Sequence, residues 1–292
     1  MELLQLQYFQ KAAKLEHMTK AAQELGIAQP ALSKTIARLE AELGARLFDR
    51  HNRQIRLNRF GRVFLDKVDR ALALLEEGRR EVADLAGAER GSVHLATNAL
   101  NRLSPFLKAF RSHNPEVRLH IVQIAPASTL EMAAMLEKGE VDLVFTAAPF
   151  AQPGIRETPV LSAKVHLAVP RGHRLESRGS IRLEEAKDEP FIEYRAGHPF
   201  RRVNEEICLS AGIRPRIVCE VEEPSALGNL VQAGLGVALV PVCKGDDFPH
   251  FAVLPIEDPG CRRIYTLAWI EHRYMSAAAQ RLKQFLQNQY ED

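Results

Sequence analysis

The hydrophobic pattern of this chain changes period once, at Gly87-Ala88-Glu89-Arg90-Gly91, and that change calls for separately packed parts. Before it, apolar residues recur every three or four positions, as helices require. After it, short β-type runs alternate with amphipathic stretches. One layer cannot satisfy both patterns, and a length of 292 residues accommodates about two domains. The longest apolar stretches, such as Leu235 to Val242, fall well short of the roughly 18 to 20 residues that cross a bilayer. No membrane partner is expected.

Charge follows the same division. The net charge is +2, yet residues 1–60 carry ten Lys/Arg against six Asp/Glu, and the rest of the chain carries a slight acidic excess. A basic head on a faintly acidic body is the electrostatic footprint of a small nucleic-acid-binding module joined to a larger unit. The first residues, Met1-Glu2-Leu3-Leu4-Gln5, form no export signal, so a cytoplasmic protein is expected. Cys208, Cys219, Cys243 and Cys261 include no C-x-x-C pair and have no metal-ligand histidine spacing; they read as small buried hydrophobes in a reducing compartment. No metal and no cofactor are expected.

Leu3, Leu6, Phe9 and Ala13 predict a first helix. Thr19 is the expected N-cap of a second, whose inner positions are Ala21, Ala22 and Leu25 and which stops at Gly26. Pro30 fits the first turn of a third helix, where its missing N–H has no partner to lose. Leu32, Ile36 and Leu39 form the apolar back of that helix. Two helices joined by a tight glycine turn brace one against the DNA backbone and present the other to the major groove. Ser33, Lys34 and Arg38 are then the donors to base edges or phosphates, and Gln29 carries an amide able to meet an adenine edge.

Next, Leu47-Phe48-Asp49-Arg50 and Gln54-Ile55-Arg56-Leu57 flank His51-Asn52-Arg53, a strand-turn-strand resembling a wing, with Arg50 and Arg53 placed to neutralise flanking phosphates. Asn58 is positioned to cap a long helix from about Arg59 to Leu85. Phe64, Val68, Leu72, Leu75, Val82 and Leu85 draw a narrow seam along it, read either as pairing with a second copy of the helix or as packing on its own domain. The body then alternates strands (93–97, 118–124, 142–146, 165–169, 191–194, 217–221, 237–240, 265–270) with helices (105–112, 129–138, 201–211, 225–232, 276–287). That order argues for parallel βαβ units.

The chain resembles the LysR-type transcriptional regulators. The likeness is carried by Ala-Gln-Pro-Ala-Leu-Ser at 28–33, Arg-Leu-Glu at 38–40, Glu-Leu-Gly at 42–44 and Leu-Phe-Asp-Arg at 47–50, followed by Leu57 and Gly61. In the body, Pro115, the run Leu136, Gly139, Asp142, and the stretch from Gly234 to Pro241 fit the same family. The resemblance implies an N-terminal all-α winged helix-turn-helix over 1–58 with a long linker and dimerisation helix over 59–87. It also implies a C-terminal α/β two-lobed, periplasmic-binding-protein-like effector domain over 91–292, with lobe I at 91–161 and 267–292 and lobe II at 162–266. Many members have Ser or Thr where this chain has Ala28, which removes a side-chain cap there.

In the resembling fold the ligand sits between the lobes near strand carboxyl ends. Asn98, Asn101, Ser128, Thr129 and Thr146 in the first lobe and Arg195, His198 and Arg201 in the second are the matching positions. Each has an ordinary structural reading as well, as helix cap, solvated surface or turn histidine. Two arginines in one cleft favour an anionic metabolite as small-molecule co-inducer. Peroxide-sensing members keep a reactive cysteine where this chain has Pro199, so Cys208 reads as core.

The implied function is a sequence-specific DNA-binding transcriptional regulator, not an enzyme, with no catalytic residues; G-x-S-x-G, H-E-x-x-H and P-loop motifs are missing from the sequence. Its implied partners are double-stranded DNA at an interrupted palindromic operator, a small-molecule effector, a second copy in a homodimer or homotetramer, and RNA polymerase. The alternative is a cytoplasmic two-lobed solute-binding or metabolic enzyme-like protein with an appended DNA-binding head.

Overall fold

The computed structural model describes residues 1–51, 54–85, 91–125, 128–150, 152–243 and 245–290. Two compact units emerge: Met1–Leu85, with which Glu137–Glu140 are grouped, and the remainder.

The first unit opens with helices α1 (Leu3–Leu15), α2 (Met18–Glu24) and α3 (Gln29–Leu43). Phe9, Ala12, Ala21, Leu32, Ile36 and Leu39 close its core. The cap of α2 is His17 and not the expected Thr19: the imidazole Nδ1 accepts from the Lys20 N–H at 3.3 Å, so the helix starts earlier and Thr19 lies inside it. Ala28 caps α3 without a side-chain bond, as its methyl group dictates. Leu3 is exposed, so the buried stripe of α1 begins further along the helix.

The wing is the antiparallel pair β1 (Phe48–His51) and β2 (Gln54–Leu57), with Phe48 opposite Leu57. Glu40 explains why an acid belongs in α3 here: its Oε1 accepts from the N–H groups of Leu47 (2.7 Å) and Phe48 (3.3 Å), pinning the wing to the helix. Asn58 caps α4 (Arg59–Leu85) through its Oδ1, which accepts from the Gly61 N–H at 2.9 Å. Gly61 packs so closely that a Cβ there would stand 2.2 Å from the Leu47 carbonyl oxygen. The seam of α4 divides: Phe64, Val68 and Leu72 pack on the head core, whereas Leu75 and Val82 are exposed, as are Phe60, Val63 and Leu74.

The second unit begins with β3 (Ser92–Thr97), α5 (Leu100–His113), β4 (Arg118–Gln123), α6 (Thr129–Lys138) and β5 (Leu143–Thr146). These are right for βαβ units, and β3 pairs in parallel with both β4 and β5. Helix α5 starts five residues before Pro105, which is therefore internal; the Asn101 carbonyl that loses a backbone donor receives the Ser104 hydroxyl at 3.3 Å.

The remaining elements are β6 (Ile155–Pro170), a short 3-10 turn (Leu183–Ala186), β7 (Pro190–Tyr194), α7 (Pro199–Ser210), β8 (Arg216–Val221), α8 (Pro224–Gln232), β9 (Ala238–Val242), β10 (Phe251–Pro255), β11 (Arg262–Ile270) and α9 (Ala277–Gln287). The large sheet is mixed, not purely parallel: β6 and β11 run antiparallel to one another, β11 pairs with β5, and β6 pairs with β9 and β10. The register of β6 and β11 shifts between Tyr265 and Thr266, where Thr266 faces Pro159, a residue with no N–H for the ladder. A two-stranded parallel sheet, β7 with β8, completes the second lobe.

Candidate functional site

In the head, α3 turns Leu32, Ile36 and Leu39 fully inward and leaves Lys34 and Arg38 exposed. Gln29 and Ser33 sit one turn apart, and the Gln29 amide donates to the Ser33 hydroxyl at 2.8 Å. The two polar groups expected to meet bases thus orient each other. Arg38 is engaged by carboxylates, with Glu2 at 3.6 Å and Glu42 at 3.3 Å. Pro30 is exposed in the first turn, as its position predicts. The Arg50 backbone lies in β1, but its side chain, and Arg53 as a whole, fall outside the described residues.

The second unit holds a cleft of about 530 Å³ lined by Thr129 at the start of α6, Ala148 and Pro149 just beyond β5, Ala196 and Gly197 after β7, and His198, Pro199, Arg201, Arg202 and Glu205 at the start of α7. Three expected residues, Thr129, His198 and Arg201, meet there. Ser128 precedes Thr129, and its carbonyl accepts from the Met132 N–H at 3.1 Å, an ordinary first-turn bond. Asn98, Asn101, Thr146 and Arg195 are not among the lining residues. Asn98 is buried at the end of β3, Asn101 is exposed on α5, and the buried Thr146 hydroxyl accepts from the Ala148 N–H at 3.0 Å. Thr146 therefore shapes the cleft loop from behind.

Arg201 differs from expectation in being bonded to two of the protein's own carboxylates. Its Nε donates to Glu205 at 2.7 Å, and its Nη1 donates both to Glu220 and to the Tyr194 carbonyl, the latter at 3.1 Å. Arg195 is likewise bonded to Glu222. His198 is 1% exposed and stacks on Tyr194 with ring centres 4.4 Å apart. Its Nδ1 accepts from the Phe200 N–H at 3.0 Å, capping α7 and leaving the proton of the neutral ring on Nε2. Burial pushes its pKa down to about 4, against a smaller opposing pull from Glu222, so the ring is uncharged at neutral pH.

Beneath the cleft lies a fully buried polar chain. The Glu193 carboxylate accepts from the Tyr194 N–H and the Asn204 amide, both at 2.8 Å, and Asn204 Oδ1 accepts from Arg263 at 2.7 Å. Sequence reasoning missed all of it. Cys208, nearby in the lower core, is 1% exposed, and burial pushes its thiol up to about 12; it is core, as expected.

Residues 3–62 match the family described as "Bacterial regulatory helix-turn-helix protein, lysR family", and residues 86–291 match "LysR substrate binding domain". Among curated relatives, the chain is 35% identical over 289 residues to the uncharacterized HTH-type transcriptional regulator YybE of Bacillus subtilis, covering 98% of each, and 29% identical to the transcriptional dual regulator GltC of the same organism, covering 98% and 96%. Among solved structures it superposes on CbnR, described as a LysR family transcriptional regulator, with a TM-score of 0.77 at 23% identity and full coverage of both chains.

Proposed function

Because the chain belongs to the LysR family of transcriptional regulators, we propose that it reads an interrupted palindromic operator as a homo-oligomer and that occupancy of the cleft at His198 sets its transcriptional output. The carrying observation is the division of α3 into a buried apolar back and a front bearing Gln29, Ser33 and Lys34. A helix so built enters the major groove with its polar face toward base edges. A CbnR structure of similar fold is a complex with its target DNA, which supports this docking mode.

Two-fold symmetry follows from α4, whose exposed Leu74, Leu75 and Val82 need a second copy to cover them. No described helix is long and apolar enough to cross a membrane. Cytoplasmic placement, a tetrameric state and contact with RNA polymerase belong to the same proposal, as do the domain limits of 1–58, 59–87 and 91–292.

Footprinting of the full chain on the DNA upstream of its own gene and neighbouring genes tests the reading. Protected half-sites about one helical turn apart support it; uniform, sequence-independent protection overturns it. Ala148→Trp, which fills the cleft, is expected to change the footprint or transcript level produced by cell extract metabolites. An unchanged response removes the cleft from control.

A further inference from the structure

We infer that the cleft receives an uncharged ligand, rich in hydroxyl or carbonyl oxygens and lacking a carboxylate or phosphate, because the chain's own carboxylates occupy the groups that would receive an anion. The inference rests on the cleft's being the effector site.

An anion is ordinarily held by guanidinium groups, by a protonated imidazole or by free N–H groups at a helix start. At the α7 end of the cleft these devices are already engaged within the protein. Arg201, the least exposed of the cleft arginines, is bonded to two carboxylates, Glu205 and Glu220. Arg202 stands on the rim beside Glu206 at 3.7 Å, and Arg195, just outside the lining, is bonded to Glu222. His198 is buried and neutral, and its Nδ1 and carbonyl accept from the Phe200 and Arg201 N–H groups, at 3.0 and 3.1 Å, so the first turn of α7 is closed by its own cap. Pro199 contributes no N–H at all.

The consequence is electrostatic. Among the described residues, the guanidinium groups at this end of α7 are matched or outnumbered by Glu205, Glu206, Glu220 and Glu222, so a carboxylate ligand would have to displace one of these or sit beside them unneutralised. An uncharged oxygen meets no such penalty. It can accept from Arg201 Nη2, which makes no hydrogen bond among the described residues, or exchange bonds with the Thr129 hydroxyl on the opposite wall. The apolar parts of the lining, Ala148, Pro149, Ala196 and Pro199, suit the carbon frame of such a molecule.

Calorimetric titration of the full chain with inorganic phosphate and with benzoate, at constant ionic strength, tests the inference. The wild type is expected to bind neither at millimolar concentration. Glu205→Gln/Glu220→Gln, at two half-exposed positions, is expected to gain affinity for both by at least about tenfold, the order that one freed charge-assisted bidentate partner supplies, and Arg201→Met on that background abolishes the gain. Wild-type binding that Arg201→Met removes overturns the inference, and so does a double variant as blind to anions as the wild type. If the double variant melts well below the wild type, Glu220→Gln alone is titrated and judged by the same criteria. In a thermal-shift screen of acids paired with their amides, stabilisation by the amide alone supports the inference, and stabilisation by the acid alone overturns it. These readouts measure binding and do not depend on DNA, so failure here is separable from an Ala148→Trp result that fails the effector reading.

Discussion

The guanidinium of Arg263 lies 4.6 Å from the centre of the Phe200 ring, with Arg263 1% exposed, so a cation on strand β11 is held against the first turn of α7 inside the protein. The same guanidinium donates to Asn204 one turn further along. Arg263→Met keeps most of the bulk but removes the donor, and a cost of about 1 to 3 kcal/mol is expected from the stranded acceptors. Arg263→Ala adds a cavity and is expected to cost about 3 to 5 kcal/mol. Urea denaturation of the full chain measures both, and equal losses would show that the charged donor rather than bulk holds this junction.

Glu193 sets a pH dependence of defined sign. Burial raises its folded pKa from the ordinary 4.5 to about 7, outweighing the bonds from Tyr194 and Asn204. Because the folded value lies above the unfolded one, stability is greatest below the unfolded pKa and is lost as pH rises through about 7. Glu193→Gln keeps an acceptor for Asn204 without the charge. It is expected to equal the wild type near pH 4.5 and to exceed it at pH 8 by up to about 3 kcal/mol, the equivalent of that shift. Parallel stability curves across this range would assign the shift elsewhere.

On DNA, Lys34 and the Gln29–Ser33 pair are expected to fail differently. Lys34→Ala removes a charge and is expected to weaken all sequences and to reduce the salt slope by about 1. Ser33→Ala frees the Gln29 amide from its 2.8 Å bond, so discrimination between cognate and altered half-sites is expected to relax by about 1 to 3 kcal/mol. Binding isotherms over a salt series distinguish the two, and identical slopes for Lys34→Ala and wild type would take Lys34 off the phosphates.

Gly61 is expected to tolerate no side chain. Its Cβ would meet the Leu47 carbonyl at 2.2 Å and the Leu57 side chain at 2.7 Å, so Gly61→Ala must push the wing away from α4. A loss of about 1 to 3 kcal/mol, as overpacking gives, should appear in the melting of the head and as weakened DNA binding. Unchanged melting would mean the wing moves freely.

The exposed apolar residues of α4 make oligomerisation testable by light scattering. Leu74→Glu/Leu75→Glu is expected to shift the mass toward one chain and to lower operator affinity by at least about tenfold, since paired half-sites are lost. A retained oligomer with full affinity would place the contact on another surface.

Much of this was legible in sequence because it is local. The buried stripe of α3, the Asn58 cap and the exact span of α6 follow from periodicity and capping chemistry. The first half of β6 was not legible: Ile155-Arg156-Glu157-Thr158-Pro159 is polar and contains a proline, and it is a strand because β11 pairs with it. Only part of the cleft could be anticipated. Ala148, Ala196 and Gly197 carry no functional side chain and line it only because strand ends bring them there. The pairing of Arg201 with Glu205 is a visible four-residue spacing, whereas Glu220 on β8 and Glu222 just beyond its end reach the arginines through the β7–β8 register.

Strand β6 runs for sixteen residues without a break, paired with β11 along its first half and with β9 and β10 along its second. Two lobes threaded on one continuous strand cannot swing like halves joined by a loose linker without breaking backbone hydrogen bonds. The β6–β11 ladder that any such movement must respect is interrupted where Thr266 faces Pro159, close to where Thr266 also pairs with Thr146 of β5.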